Sequence, residues 1–328
     1  MDSLYHHGKQ IAILLFMRKY GRLSIGDTMK NKLRGSVSLL LATVIWGSAF
    51  VAQSVGMDHV GPFTFQAIRC TMAAIGLLAV IAVFDLGKKD GQNFFARFAD
   101  RKLWLGGLFS AIPLCIAVNL QQIGIVYTDA GKSAFLTAMY IIFVPLIGIL
   151  LKRRPSPMIP ISVALAVVGL YFLSCAGATT VNIGDICLLI CAVAFAVQIT
   201  VIDHYAPNVD PLRLNCLQSA FCALGSAAIM LFTETPTLAG IQGSWWPMCY
   251  AGFLSMGAAY SLQIIGQKHM EPGAASLIMS LESVFAAICG FLFLQEIMTT
   301  WELLGCILVF IAVILSQIPV KTKSKTTG

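Results

Sequence analysis

Charge is what this chain has least of. Only 11% of its 328 residues are Asp, Glu, Lys or Arg, against 58% that are hydrophobic, and so few polar groups cannot cover a soluble globule of this length. Histidine is also scarce: His6, His7, His59, His204 and His269 fall outside the long apolar runs. No base therefore stands beside Ser48 of the Gly47-Ser48 pair, and a serine nucleophile is not expected. Asp185 follows Gly184 but has no second aspartate inside an apolar run, which excludes an intramembrane aspartyl dyad. No G-x-x-x-x-G-K-[ST] loop occurs, so ATP-driven transport would need another chain. The polar and apolar alternation of barrel strands is missing as well. The chain reads as no enzyme, with no cofactor and no metal site.

What is present is ten apolar stretches: Gly35 to Gly56, Pro62 to Phe84, Leu103 to Val126, Gly131 to Leu151, Met158 to Cys175, Ile183 to Ile202, Leu212 to Phe232, Trp245 to Gly266, Gly273 to Leu294 and Trp301 to Ile318. Each is long enough to cross a ~30 Å hydrocarbon core as a helix rising ~1.5 Å per residue. Lipid offers the backbone no hydrogen bonds, so the segments must be helices. The expected fold class is an all-α integral membrane protein of ten transmembrane helices.

Of the 22 Lys and Arg, 20 lie before the first segment, in or within two residues of the even-numbered gaps, or in the tail; Lys132 alone borders an odd gap, and Arg69 lies well within a segment. The positive-inside rule then puts both termini in the cytoplasm, and the net charge of +7 is a topology signal that calls for no nucleic-acid partner. The ten cysteines all lie in the apolar segments, where they read as small packing residues. Cys187 and Cys191 share a helix face but lack the further ligands of a metal site. Residues 1–34 read as an N-terminal extension expected to be disordered; Ile11 to Met17 is too short to span, and residues 1–28 are expected to be a disordered extension or a misplaced start, because Met29, Lys30, Lys32 and Arg34 already form a membrane-protein beginning. Residues 319–328 form a basic tail.

The halves 35–175 and 183–318 repeat weakly. An offset of 149 aligns Gly35 with Gly184, Leu39 with Leu188, Trp46 with Phe195, Pro62 with Pro211 and Gly76 with Gly225. An offset of 142 aligns Gln121 with Gln263, Gly124 with Gly266, Gly131 with Gly273, Phe143 with Phe285 and Gly148 with Gly290. Five helices is an odd number, so the second repeat enters the membrane from the opposite side, the architecture of many secondary transporters.

Trp46-Gly47-Ser48-Ala49-Phe50, Gly61-Pro62, Arg69, the run Leu281-Glu282-Ser283-Val284-Phe285-Ala286-Ala287 and Leu294-Gln295-Glu296 resemble the EamA family of the drug/metabolite transporter superfamily, as two tandem five-helix domains. The resemblance implies a secondary transporter of the cell membrane, such as the bacterial inner membrane, working by alternating access and most often exporting. A facilitative uniporter or a channel-like pore is the alternative. Ser283 stands where the family often has Pro, which removes the residue that would kink the ninth helix, and Gln295 stands where Gly usually precedes the Glu.

Only Arg69 and Glu282 among the charged residues lie well inside a segment, and intramembrane charges are functional candidates by default. Glu282 sits ~14 Å beyond Gly273 and Arg69 ~10 Å beyond Pro62, by helical rise. Glu282 is the coupling candidate, for a proton or a substrate, against a bond joining two helices; Arg69 is read as bonding carbonyls or snorkelling, against a substrate contact. Trp46, Phe50 and Gln53 share a face of the first helix, Asn119 and Gln122 of the third, Ser133, Thr137 and Tyr140 of the fourth, and Tyr260, Gln263 and Gln267 of the eighth; Gln198 is the lone amide of the sixth. Each could simply join helices by hydrogen bonds. Together, Trp46, Gln53, Asn119, Gln122, Tyr140, Gln198, Tyr260 and Gln263 are expected to line one pocket for a small-molecule substrate, an amino acid or an amphipathic drug, with proton coupling at Glu282.

Cysteines introduced near Thr180 and Gly243 are expected to react with an impermeant thiol reagent outside intact cells, and ones near Lys89 or Lys325 are not. Outside labelling at Lys89 would overturn the orientation.

Overall fold

The computed structural model describes residues 25–88, 93–128, 130–153, 155–174, 181–294 and 299–318. Residues 1–24, Lys89, Thr180, Gln295, Glu296 and the basic tail lie outside the described residues.

Each of the ten apolar stretches forms helix: α1 (Ile25–Gly56), α2 (Pro62–Leu86), α3 (Arg101–Tyr127), α4a and α4b (Ala130–Ala138, Tyr140–Leu150), α5 (Met158–Ser174), α6 (Ile183–Tyr205), α7 (Pro211–Thr233), α8 (Trp245–Cys249, Tyr250–Ala259, Tyr260–Gln267), α9a and α9b (Pro272–Met279, Leu281–Leu294) and α10 (Thr300–Ser316). No strand occurs among the described residues. Eight of these helices are long and apolar enough to cross a membrane, whereas α5 and α10 are shorter. Helix α1 begins at Ile25, so the expectation of disorder fails for residues 25–34: Lys30, Lys32 and Arg34 extend the helix past the apolar stretch, and Lys32 Nζ donates to the Gln317 carbonyl at 2.9 Å, a cation at the C-terminal end of α10. His204 lies in the last turn of α6, not beyond it as expected.

Local sequence sets the ends. Proline is the first residue of α2, α7 and α9a, where its missing N–H costs nothing. Asn182 with Asp185, and Thr299 with Glu302, form capping boxes that start α6 and α10, each satisfying two orphan donors.

Two helices break eight or nine residues after their first residue. Met139 interrupts α4, with Ile142 N bonded to Met139 O at 3.0 Å, and Ser280 interrupts α9, with Ser283 N bonded to Ser280 O at 3.2 Å. The ninth helix is therefore interrupted despite the missing proline. Serine replaces it: the Ser280 hydroxyl donates to Leu277 O at 2.8 Å and Ser283 to Ala134 O of α4a at 2.9 Å, so the chain tightens locally without orphaning its hydroxyls. In α8 the residues Tyr250–Ala259 form a π-helix.

Helix α2 packs along α7, α3 along α6 and α7, α5 along α10, and α1 against α8 and α9b. Gly47 lets α1 approach α9b, since a Cβ there would meet the Phe285 Cβ at 2.5 Å. Gly169 and Gly305 do the same for α5 and α10: a Cβ at Gly305 would lie 2.5 Å from the Gly169 carbonyl and 2.6 Å from Leu173 N. Such backbone-to-backbone contact maximises dispersion between helices that gain nothing from hydrophobicity in lipid.

Salt bridges and a carboxylate cap fasten two helix pairs at both ends. Glu234 of the α7 terminus accepts from Phe63 N, Thr64 N and Thr64 Oγ1 at 2.9, 2.8 and 2.6 Å, an anion on the N-terminus of α2; at the far end Arg213 of α7 pairs with Asp85 of α2. Lys132 of α4a pairs with Asp185 of α6 at 2.8 Å, and Arg153 after α4b pairs with Asp203 of α6.

Gly305→Val is expected to lower the stability of detergent-purified protein by ~1–3 kcal/mol through overpacking. Gly148→Ala, at a site with nothing within 4 Å of the added atom, is expected to be neutral or slightly stabilising. Thermal unfolding of both variants checks this; equal melting temperatures would refute the close α5–α10 contact.

Candidate functional site

A narrow cavity opens where α1, α2, α3, α4b, α6, α8, α9a and α9b meet, lined by Trp46, Phe50, Gln53, Arg69, Gln121, Tyr140, Phe195, Ile199, Ser255, Tyr260, Gln263, Met279 and Glu282. It lies at the two helix breaks, with Tyr140 one residue after Met139 and Glu282 two after Ser280.

Aromatic rings build the walls. Trp46 and Tyr260 meet edge to face with centroids 5.0 Å apart, and the Trp46 indole N–H donates to the Ser255 carbonyl at 3.3 Å. That carbonyl belongs to the π-helical stretch of α8, whose changed ladder accompanies many functional sites. Tyr140 and Phe195 form a second edge-to-face pair at 6.4 Å.

The two charges are held apart. Arg69 is 1% exposed; its Nη1 donates to Gln53 Oε1 at 2.6 Å, and its Nε has no hydrogen-bond partner. It neither snorkels nor takes up the helix carbonyls expected of it. Glu282 is 5% exposed and accepts from the Tyr140 hydroxyl at 3.0 Å. No ion pair joins either residue to an opposite charge among the described residues.

Of the residues expected in one pocket, Trp46, Gln53, Tyr140, Tyr260 and Gln263 line the cavity together with Arg69 and Glu282. Three do not. Asn119 turns toward α7, donating to Ser226 Oγ at 2.8 Å and to Cys115 O at 2.7 Å. Gln122 accepts from Gln66 Nε2 at 2.9 Å and donates to Gln53 O at 3.4 Å, standing behind the wall. Gln198 is also one layer back, accepting from Gln263 Nε2 at 3.1 Å. Each amide finds at least one partner in a neighbouring helix, which in lipid lowers the cost of burying it, although Asn119 Oδ1 and Gln198 Nε2 stay without one. Gln121, Phe195, Ile199, Ser255 and Met279 line the cavity without having been expected there. The repeat could have found three of them: Gln121 is the mate of Gln263, Phe195 of Trp46 and Ile199 of Phe50.

A narrow cavity that mixes aromatic walls with amides and one charge of each sign suits one small solute with both apolar and polar parts.

The profile of the EamA-like transporter family matches residues 33–175 and again 182–317. An uncharacterised transporter of Archaeoglobus fulgidus is 30% identical over 88% of both chains. The threonine/homoserine exporter RhtA of Escherichia coli K12 is 26% identical over 88% of this chain and 93% of its own, and the uncharacterised transporter YoaV of Bacillus subtilis is 21% identical over 83% and 93%. A crystal structure of another protein, 15% identical, superposes with a TM-score of 0.69 over 86% of this chain and 96% of that one, which shows a shared fold.

Trp46→Ala and Tyr260→Ala are expected to change solute affinity while the protein still purifies as a folded species, because each removes a large part of the wall. Asn119→Ala is expected to leave solute preference alone and to destabilise by ~1–2 kcal/mol, the loss of a buried hydrogen bond. Parallel melting curves and solute titrations check both; an Asn119→Ala variant of normal stability and altered affinity would place that amide in the site.

Proposed function

The chain belongs to the EamA-like transporter family, and from that membership we propose that it is a secondary transporter exporting a small metabolite or drug-like solute by alternating access through the central cavity. One observation carries the reading: the cavity is lined by matched residues from both halves. Trp46 and Phe195, Phe50 and Ile199, Gln121 and Gln263, and Tyr140 and Glu282 all line it, and each pair is related by one of the two repeat offsets.

Reciprocal packing favours two inverted five-helix repeats, 35–175 and 183–318, over an unrelated pair of halves. Gly124 of α3 abuts Leu188 of α6, a Cβ there lying 2.4 Å from the Leu188 Cγ; Gly266 of α8 abuts Leu39 of α1 at 2.5 Å. Glycine mates with glycine and leucine with leucine, with the two halves exchanged. A site on such an axis can present itself to either face when one half rocks against the other. The shorter α5 and α10 have 17 residues each, at the lower limit of ~17 for a span, and the same reading counts them as the ninth and tenth crossings. The placement of Lys and Arg supports cytoplasmic termini in a cell membrane.

The likeness to an amino-acid exporter supports outward movement, with amino acids or amphipathic amines as solutes. Glu282 is the coupling candidate. A carboxyl group that is wetter in one open state than in the other binds its proton differently in the two, which ties protonation to the direction the cavity faces.

In proteoliposomes holding a transported solute, an imposed pH gradient is expected to accelerate wild-type transport, and Glu282→Gln to abolish that acceleration while sparing solute-for-solute exchange. A wild-type protein indifferent to the gradient would make it a facilitator; a mutant that responds normally would route the proton elsewhere.

A further inference from the structure

Arg69 and Glu282 share one cavity, yet each stands without an opposite charge. Among the described residues the ion pairs run between groups at the helix ends: Lys88, Arg97 and Arg213 with Asp85, Arg213 with Asp210, Lys132 with Asp185, and Arg153 with Asp203. The buried guanidinium bonds to the neutral amide of Gln53 and keeps an unpartnered Nε; the buried carboxylate takes the neutral hydroxyl of Tyr140. In a low-dielectric interior an isolated ion is costly, and a counter-ion placed beside it recovers much of that cost.

Geometry narrows the counter-ion. By helical rise Glu282 lies ~14 Å from the inner end of α9a and Arg69 ~10 Å from the outer end of α2, which leaves ~6 Å of depth between them in a ~30 Å core. A cationic solute would compensate Glu282 and leave Arg69 beside another positive charge. An anionic one would do the reverse. A solute carrying both charges as substituents of one carbon satisfies both residues at once, with the amides of Gln121 and Gln263 and the rings of Trp46, Phe195 and Tyr260 around its remainder.

We propose that the solute is a zwitterion of α-amino acid type, its carboxylate held by Arg69 and its ammonium by Glu282. The assignment rests on the reading of this cavity as the transport site, and it excludes the lipophilic amines that the walls alone would admit.

The test compares each free proteinogenic amino acid with its methyl ester, a cation, and its N-acetyl derivative, an anion. Binding is read by thermal shift on the full chain in detergent and movement by counterflow in proteoliposomes. At least one free amino acid is expected to bind, with both derivatives weaker by roughly tenfold or more, as for loss of one partner of a buried charge pair. Arg69→Gln is expected to bring the ester level with the free acid, and Glu282→Gln to do so for the N-acetyl form. Arg69→Lys and Glu282→Asp, which keep the charges, should retain the preference for the free acid and exclude misfolding as the cause.

An ester that binds wild type as tightly as the free acid overturns the proposal, as does a derivative pattern that neither substitution moves. Counterflow of a lipophilic amine such as benzylamine, with no response to any amino acid, overturns the zwitterion and leaves the carrier standing. Amino-acid binding that Trp46→Ala and Tyr260→Ala both leave untouched places the solute outside this cavity and overturns both.

Discussion

A polar group inside a bilayer has only the protein to bond to, and that constraint organises this molecule from its backbone to its cavity. It forces the apolar stretches into helices, because a helix closes its own N–H and C=O groups. It explains why the buried amides find partners on other helices: Gln66 donates to Val118 O and Gln122, Asn215 to Met256 O, Gly257 O and Ser261, and Gln267 to Ile199 O. Each such bond removes a penalty more than it adds attraction, which is why amides recur at helix contacts without marking a site.

The same constraint separates the residues that reasoning from sequence could place from those it could not. Apolar stretches are readable because their length must match the membrane, and the observed helices begin and end within a few residues of the expected ones, except that α1 starts at Ile25. That end was hidden because a helix continuing into water needs no apolar residues. The helix breaks were hidden for a different reason. Ser280 and Met139 carry no signature comparable to proline, and a serine in an apolar run shows its effect only when its hydroxyl is seen to bond Leu277 O.

Site residues divide along similar lines. Trp46, Gln53, Tyr140, Tyr260 and Gln263 were legible because a polar or aromatic group on a shared face of a helix must point somewhere useful. The direction in which Asn119, Gln122 and Gln198 point depends on which neighbour packs against them, and periodicity within one helix does not contain that information. Met279 and Ser255 carry too little chemistry to be noticed. Ser255 contributes through a π-helical stretch that shifts the face it would present in an ordinary helix.

The salt bridges at the helix ends fasten α2 to α7 and α4 to α6. Among the described residues the central cavity holds one guanidinium, Arg69, and one carboxylate, Glu282, and this balance has an electrical consequence. Moving a single elementary charge through the membrane field costs or releases ~2.3 kcal/mol per 100 mV. When both groups are ionised their charges cancel, so an empty protein that alternates as proposed above would reorient without net charge in the field. A solute of zero net charge preserves that balance, and the resting potential of the cell then favours neither face of the cavity.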